Sequence, residues 1–311
     1  MNCRFNFVRT AGLMAGLAAV LAAAGCEPQV VTVTVKHIEG AATEGAAAGA
    51  AVTEFGNLNG TILCEGTPPP AANLVEKNDA GARDASVCAA ETVPDESLLV
   101  NPANKGVANV VIYLAKTPGT IKPDLLAIPT EPVIFDQKGC RFHPHVIKLR
   151  VNQTLLVKSD DPIAHNTHTY PGRSKSFNGA INANDRGGVK IQYDKTEAQP
   201  VEVKCDLHTW MKAYHVPLDH PYVAITDADG KFSIPGLPVG KHQFKVWHEK
   251  RGFLETKLQI EIKANADVTH DLSYGADKLA AVTQPSREEP SRMVTYQRLL
   301  RGGSLALTTE N

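Results

Sequence analysis

Residues 201–211 read Val201-Glu202-Val203-Lys204-Cys205-Asp206-Leu207-His208-Thr209-Trp210-Met211. The first four alternate apolar and charged, the period-two pattern of a strand with one buried face. Cys205 continues the inward set of Val201 and Val203, so a thiol is aimed inward where the strand ends. The chain then turns, and an imidazole and a thioether follow at three-residue intervals. The stretch therefore sets three metal donors at one end of a β-layer.

The same alternation recurs outward from this stretch, across residues 58–273. His145-Val146-Ile147-Lys148-Leu149-Arg150-Val151 puts Ile147, Leu149 and Val151 on one face. Val189–Tyr193 and Leu258–Ile262 alternate likewise. Asp229-Gly230, Gly236, Pro238, Gly240 and Gly187-Gly188 punctuate these runs as turns. Short alternating strands between turn residues read as β-sandwich, and no long helical periodicity competes. The 311 residues suffice for about two domains of ~150 each. The fold class expected is all-β, with two β-sandwich domains. Residues 68–105, rich in Pro, Ala and Asp, read mostly as loops.

Lys and Arg number 32 against 33 Asp and Glu, a formal net charge of −1. Such a chain has no electrostatic footprint for nucleic acid. No long apolar run occurs in its body, which excludes a polytopic membrane protein. No Ser-His-Asp order, glycine-rich phosphate loop or paired-carboxylate motif stands out, so the expectation is that the protein is not an enzyme.

A second imidazole completes the donor set. His165-Asn166 follows Asp160-Asp161-Pro162 at the end of another strand. One thiolate, two imidazoles and a weak axial thioether are the ligands of a blue-copper electron-transfer centre. His165, Cys205 and His208 are the expected equatorial ligands and Met211 the axial one, around one type 1 copper. Met1, Met14 and Met293 lie near the termini, so Met211 is the single Met of the body. His143, His145, His168, His215 and His220 lie near these residues in sequence and read as solvated or hydrogen-bonded. His242, His248 and His270 show no ligand spacing.

Residues 132–218, within an expected domain 130–218, resemble the cupredoxins, plastocyanin and amicyanin among them. The Cys-x₂-His-x₂-Met spacing is that of the short-loop amicyanin type. Phe142-His143-Pro144 matches a strand start common in the family, and His165-Asn166 its first ligand and neighbour. The resemblance implies that Asn166 pins the Cys-bearing loop. Many relatives carry Pro beside the second His; here Thr209-Trp210 follows. A second resemblance lies in YVAITDADGKFSIPGLPVGKHQFKVW, residues 222–247. It is similar to carboxypeptidase regulatory-like (transthyretin-like) sandwiches, through Asp227, Gly230, Phe232, Leu237, Pro238 and Gly240. Residues 219–275 offer too few strands alone, so 56–129 is expected to join them, with the cupredoxin-like part inserted between.

Residues 1–26 resemble a bacterial lipoprotein signal. Arg4 and Arg9 precede an apolar run, and Ala23-Ala24-Gly25-Cys26 forms the cleavage box. This implies lipidation of Cys26, a membrane anchored through it, and an extracytoplasmic place facing the periplasm or cell surface. Plain secretion is the alternative. Residues 27–55 read as an Ala/Gly-rich tether reaching roughly 30 Å, and 276–311 as a low-complexity tail. Of the remaining thiols, Cys88 and Cys140 lie in loop-like segments and are the expected disulfide, with Cys64 as the alternative partner. The function expected is single-electron carriage between redox partner proteins. The alternatives are copper delivery by the same fold, or a metal-free surface module.

Overall fold

The computed structural model describes residues 54–280. The signal with Cys26, the tether up to residue 53 and the tail beyond 280 lie outside the described residues. Among the described residues, no helix is long and apolar enough to cross a membrane.

The architecture is almost entirely β and forms two sandwiches. In the first, the strand Phe55–Glu65 pairs antiparallel with Lys231–Pro238, and parallel with Asp267–Thr269 and Leu272–Gly275. Facing it is a sheet ordered Val223–Ile225, Val111–Leu114, Gly240–His248, Gly252–Ile262. Leu58, Ile62, Ile112, Ile234, Phe244 and Ile262 fill the space between. Strands from both ends of the described chain thus share this core. Gly230 sits with φ 76° in the turn ahead of Lys231–Pro238, where a side chain would press on the Ile62 carbonyl.

The second sandwich uses residues between those ends. One sheet runs Asn178–Ile181, His165–Tyr170, Val201–Lys204, Lys212–Leu218, Val146–Arg150. The other runs Val189–Ile191, Leu155–Val157, Val133–Gln137, Phe142–His143. Alternation decides the facing: Val201 and Val203 are buried, while Glu202 and Lys204 are half-buried on the opposite face. Phe135, Phe142, Leu149, Leu155, Ile181 and Val203 lie in this core.

Val111–Leu114 is buried along its whole length, because it serves two layers. Ile112 and Leu114 face the first core. Val111 and Tyr113 face a seam shared with Val146, Tyr214, Val216 and Trp247. The Tyr214 and Trp247 rings meet there at 4.8 Å. An unbroken apolar run is what a strand covered on both faces requires.

Two segments depart from the sequence reading. Within 56–129, residues around 73–95 do not stay with the first sandwich. The short hairpin Asn73–Val75 with Val93–Pro94, and the helical turn Ala85–Cys88, pack toward the second. Cys88 is buried in the second core and joined to Cys140 by a disulfide, with Cα atoms 5.2 Å apart. Cys64 stays a free, buried thiol in the first core. The expected tail also begins later than 276, because Ala276–Ala280 forms a helical turn. Leu279 enters the first core there with no exposure.

Candidate metal centre

The sheet order brings the donors together. Val201–Lys204 lies between His165–Tyr170 and Lys212–Leu218 and runs antiparallel to both. Its C-terminal end therefore meets the beginnings of its two neighbours. Cys205 follows its last residue, His165 opens one neighbour, and Met211 immediately precedes the other. The loop between closes on itself: Cys205 N donates to Met211 O at 3.2 Å, and Met211 N to His208 O at 2.8 Å.

His165, Cys205 and His208 are all buried, and their ligand atoms lie within 4.8 Å of one another. The two Nδ1 atoms are 3.0 Å apart. Cys205 Sγ is 3.7 Å from His208 Nδ1. Met211 is 2% exposed and packs in the same core cluster as Cys205. Asn166 Oδ1 accepts from the Asp206 N–H at 2.7 Å and faces Cys205 Sγ at 3.3 Å. The Asn166 amide also donates to Asp206 Oδ2 at 2.8 Å, which ties the Cys-bearing loop to the neighbouring strand.

Two carboxylates set the direction of the imidazoles. His165 Nε2 meets Asp161 Oδ2 at 2.8 Å, and His208 Nε2 meets Asp84 Oδ2 at 2.9 Å. An ionised carboxylate only accepts, so each Nε2 carries the proton and donates. Each Nδ1 then turns a lone pair inward, toward the other and toward the sulfur. Three electron-rich atoms converging in a dry cage require a cation between them, either a proton or a metal ion. The donor types, one thiol and two imidazoles with a thioether in the same cluster, fit copper.

The protonation of the metal-free cage follows the same logic. Burial pushes the Cys205 thiol up, but hydrogen bonds from His165, His208 and the Asn166 backbone outweigh it and bring it down to about 6. Burial pulls His165 down, yet Asp161 and the Cys205 sulfur hold it up at about 9. At neutral pH a proton on the His165 imidazole thus stands where a metal ion would sit. Metal binding must release it.

Asp161 and Asp84 are the functional residues that the sequence reading did not single out. Asp161 stands only four positions before His165, in the quoted Asp160-Asp161-Pro162, and its neighbourhood was the available signal. Asp84 comes from the remote segment that packs across from the first sandwich, and nothing local announces it. A second group of three, Cys140, Asp161 and His165, also lies close together. Its sulfur is committed to the disulfide. Three of the nearby histidines have ordinary partners. His145 pairs with Glu249, His168 with Asp206 at 3.1 Å, and His215 with the Tyr193 hydroxyl at 2.8 Å.

No protein-family model matches the chain, and no curated protein matches it. Among solved structures it is similar to a copper-containing nitrite reductase from Thermus scotoductus, at 18% identity. That match covers 33% of this chain and 24% of the reductase, with a TM-score of 0.26. It is similar to a purple cupredoxin from Nitrosopumilus maritimus at 15% identity, over 27% of this chain and 98% of that one, TM-score 0.23. Amicyanin from Paracoccus versutus matches at 12% identity, over 32% and 95%, TM-score 0.25. The second sandwich carries a buried His/Cys/His cluster at one end.

Proposed function

We propose that this protein is a type 1 copper protein that carries single electrons between redox partners and makes or breaks no covalent bonds itself. The observation that supports it most is the inward convergence of His165 Nδ1, His208 Nδ1 and Cys205 Sγ, with both Nε2 atoms held from behind by carboxylates. Bound copper supplies one-electron exchange between Cu(I) and Cu(II). Cys205 would offer a thiolate, His165 and His208 neutral nitrogens, and Met211 a weakly donating thioether. Asp161 and Asp84 hold the rings, and the Cys205–Met211 loop is closed by its own hydrogen bonds, so the ligands stay in place between the two oxidation states. Burial of all four side chains excludes water. A sealed cage favours retention of the metal, and hence carriage of electrons over delivery of copper.

The finer features belong to the same proposal. The first sandwich is read as a carboxypeptidase regulatory-like module with a structural role. Cys26 is read as lipidated, which would hold the centre at a membrane surface outside the cytoplasm. The test is electrochemical. Copper-loaded protein should show reversible one-electron waves and keep its metal when reduced beside a Cu(I) chelator. Loss of copper on reduction would move the reading to delivery. Failure to take up copper at all would leave a metal-free surface module.

A further inference from the structure

In the second sandwich the cage is closed from three sides by its own strands and loop. The fourth side, at the Nε2 edge of His208, is closed by a residue from elsewhere in the chain. Asp84 lies 124 positions away, just before the helical turn Ala85–Cys88. Its backbone sits at φ 51°, and its carbonyl accepts from the Val87 and Cys88 N–H groups, each at 2.9 Å. Four residues on, Cys88 is fixed to Cys140. Val75, Ala89 and Val93 pack with Trp210, whose indole N–H donates to the Cys140 carbonyl at 3.2 Å. The segment is therefore held by a covalent bond and a small apolar cluster, and both place Asp84 against His208. The His208 side chain has no exposure, whereas that of Asp84 is 41% exposed. Asp84 Oδ2 touches His208 and also lies 3.6 Å from Arg83 Nε, and the rest of the carboxylate meets solvent.

We propose that Asp84 is a positioning residue for His208, brought to the centre by the disulfide-fixed segment. It holds Nδ1 toward Cys205 and biases the site toward Cu(II). This rests on the reading that His165, Cys205 and His208 hold copper. The physical reason is that a carboxylate accepting from Nε2 makes the ring a stronger donor, and a stronger donor favours the more highly charged ion. Its negative charge acts in the same direction, though water and the neighbouring Arg83 offset part of it. Closing the edge also shields Cys205 from outside reagents.

Two substitutions separate these roles in the full chain. Asp84→Asn keeps an acceptor oxygen and tolerates the positive φ, but removes the charge. Asp84→Gly also suits that φ, but removes charge and acceptor together. In the copper-loaded protein, Asp84→Asn should stay blue while the Cu(II)-to-Cu(I) affinity ratio falls about tenfold. For one electron that is an upward shift of about 59 mV. Asp84→Gly should shift at least as far and lose roughly 10- to 100-fold in Cu(II) affinity. In the metal-free protein, Asp84→Gly should speed alkylation of Cys205 several-fold by peptide mass mapping, with Asp84→Asn near wild type. The buried Cys64 thiol serves as the internal control. Potentials within a third of that shift from wild type in both variants would overturn the proposal. If wild-type protein takes up no copper, the copper reading fails on its own. The alkylation arm then decides: unchanged Cys205 reactivity in Asp84→Gly overturns the positioning role, and faster reactivity supports it.

Discussion

Replacing Asp161 tests how much of the fold depends on the machinery behind His165. Asp161 is 3% exposed, and its carboxylate serves three donors. Oδ1 accepts from Gly139 N at 2.6 Å; Oδ2 accepts from Cys140 N at 2.9 Å and His165 Nε2 at 2.8 Å. Gly139 and Cys140 both have positive φ, 58° and 54°, so the carboxylate also holds a turn that Cys140 would otherwise disfavour. Asp161→Ala leaves three donors without a partner. Each buried orphan costs about 1–3 kcal/mol. The Gly139 N–H is only partly buried and can recruit water, so the sum is about 3–5 kcal/mol. That is a large share of the ~5–15 kcal/mol that holds a typical domain folded. Asp161→Asn should cost less. Its single oxygen does best on the Oδ2 side, where two donors wait, which sets the amide N–H₂ against Gly139 N. One lost bond gives about 1–3 kcal/mol. Urea unfolding of the metal-free protein measures both. An Asp161→Ala variant within about 1 kcal/mol of wild type, or an Asn variant as unstable as the Ala variant, would refute the reasoning. Burial raises the Asp161 pKa, but His165 and the two backbone N–H groups outweigh it and hold it below the usual carboxylate range. Its contribution is present above about pH 3.9 and is lost as pH falls through the lower folded value.

Other perturbations have equally definite outcomes. Phe244→Ala empties a fully buried position in the first core, and should cost about 3–5 kcal/mol in denaturant unfolding while leaving the copper spectrum unchanged. Burial lowers His215 to about 3, and His220 and His248 to about 4. All three stay neutral when folded but bind protons near pH 6.5 when unfolded, so their stabilisation is full above about 6.5 and declines as pH falls toward 4. His165 acts in a separate window: held up at about 9, its contribution is complete below about 6.5 and is lost as pH rises through 9. A melting temperature of the metal-free protein that is flat from pH 6.5 to 4.5 would contradict the first of these windows. Met211→Leu removes a weak axial donor, so copper should be retained and the potential should rise in voltammetry.

Local pattern carried the parts of the fold that depend on one strand and one face. Val201 and Val203 face inward as their alternation requires. The Cys205–Met211 spacing makes a loop short enough to close through two backbone hydrogen bonds. What local pattern could not show depends on distant pairing. The parallel contacts of Phe55–Glu65 with Asp267–Thr269 and Leu272–Gly275 join strands about 200 residues apart. The run Val110–Leu114 shows burial on both faces without saying what lies on either. Asp84 illustrates the limit best. A lone Asp in a loop-like stretch reads as solvated, and only the fold places it 2.9 Å from His208. Leu279 makes the same point at the other end, since the weakly patterned stretch around it gives no period to read.

The most direct test of the copper centre is the visible absorption spectrum of the oxidised, copper-loaded protein, taken beside Cys205→Ser. Thiolate-to-copper charge transfer should make the wild type intensely blue at one copper per chain. Cys205→Ser should be colourless, because a serine hydroxyl stays protonated and is a poor soft donor. A wild-type protein that binds one copper per chain and yet remains colourless would contradict the type 1 assignment, as would a Ser variant that keeps the colour.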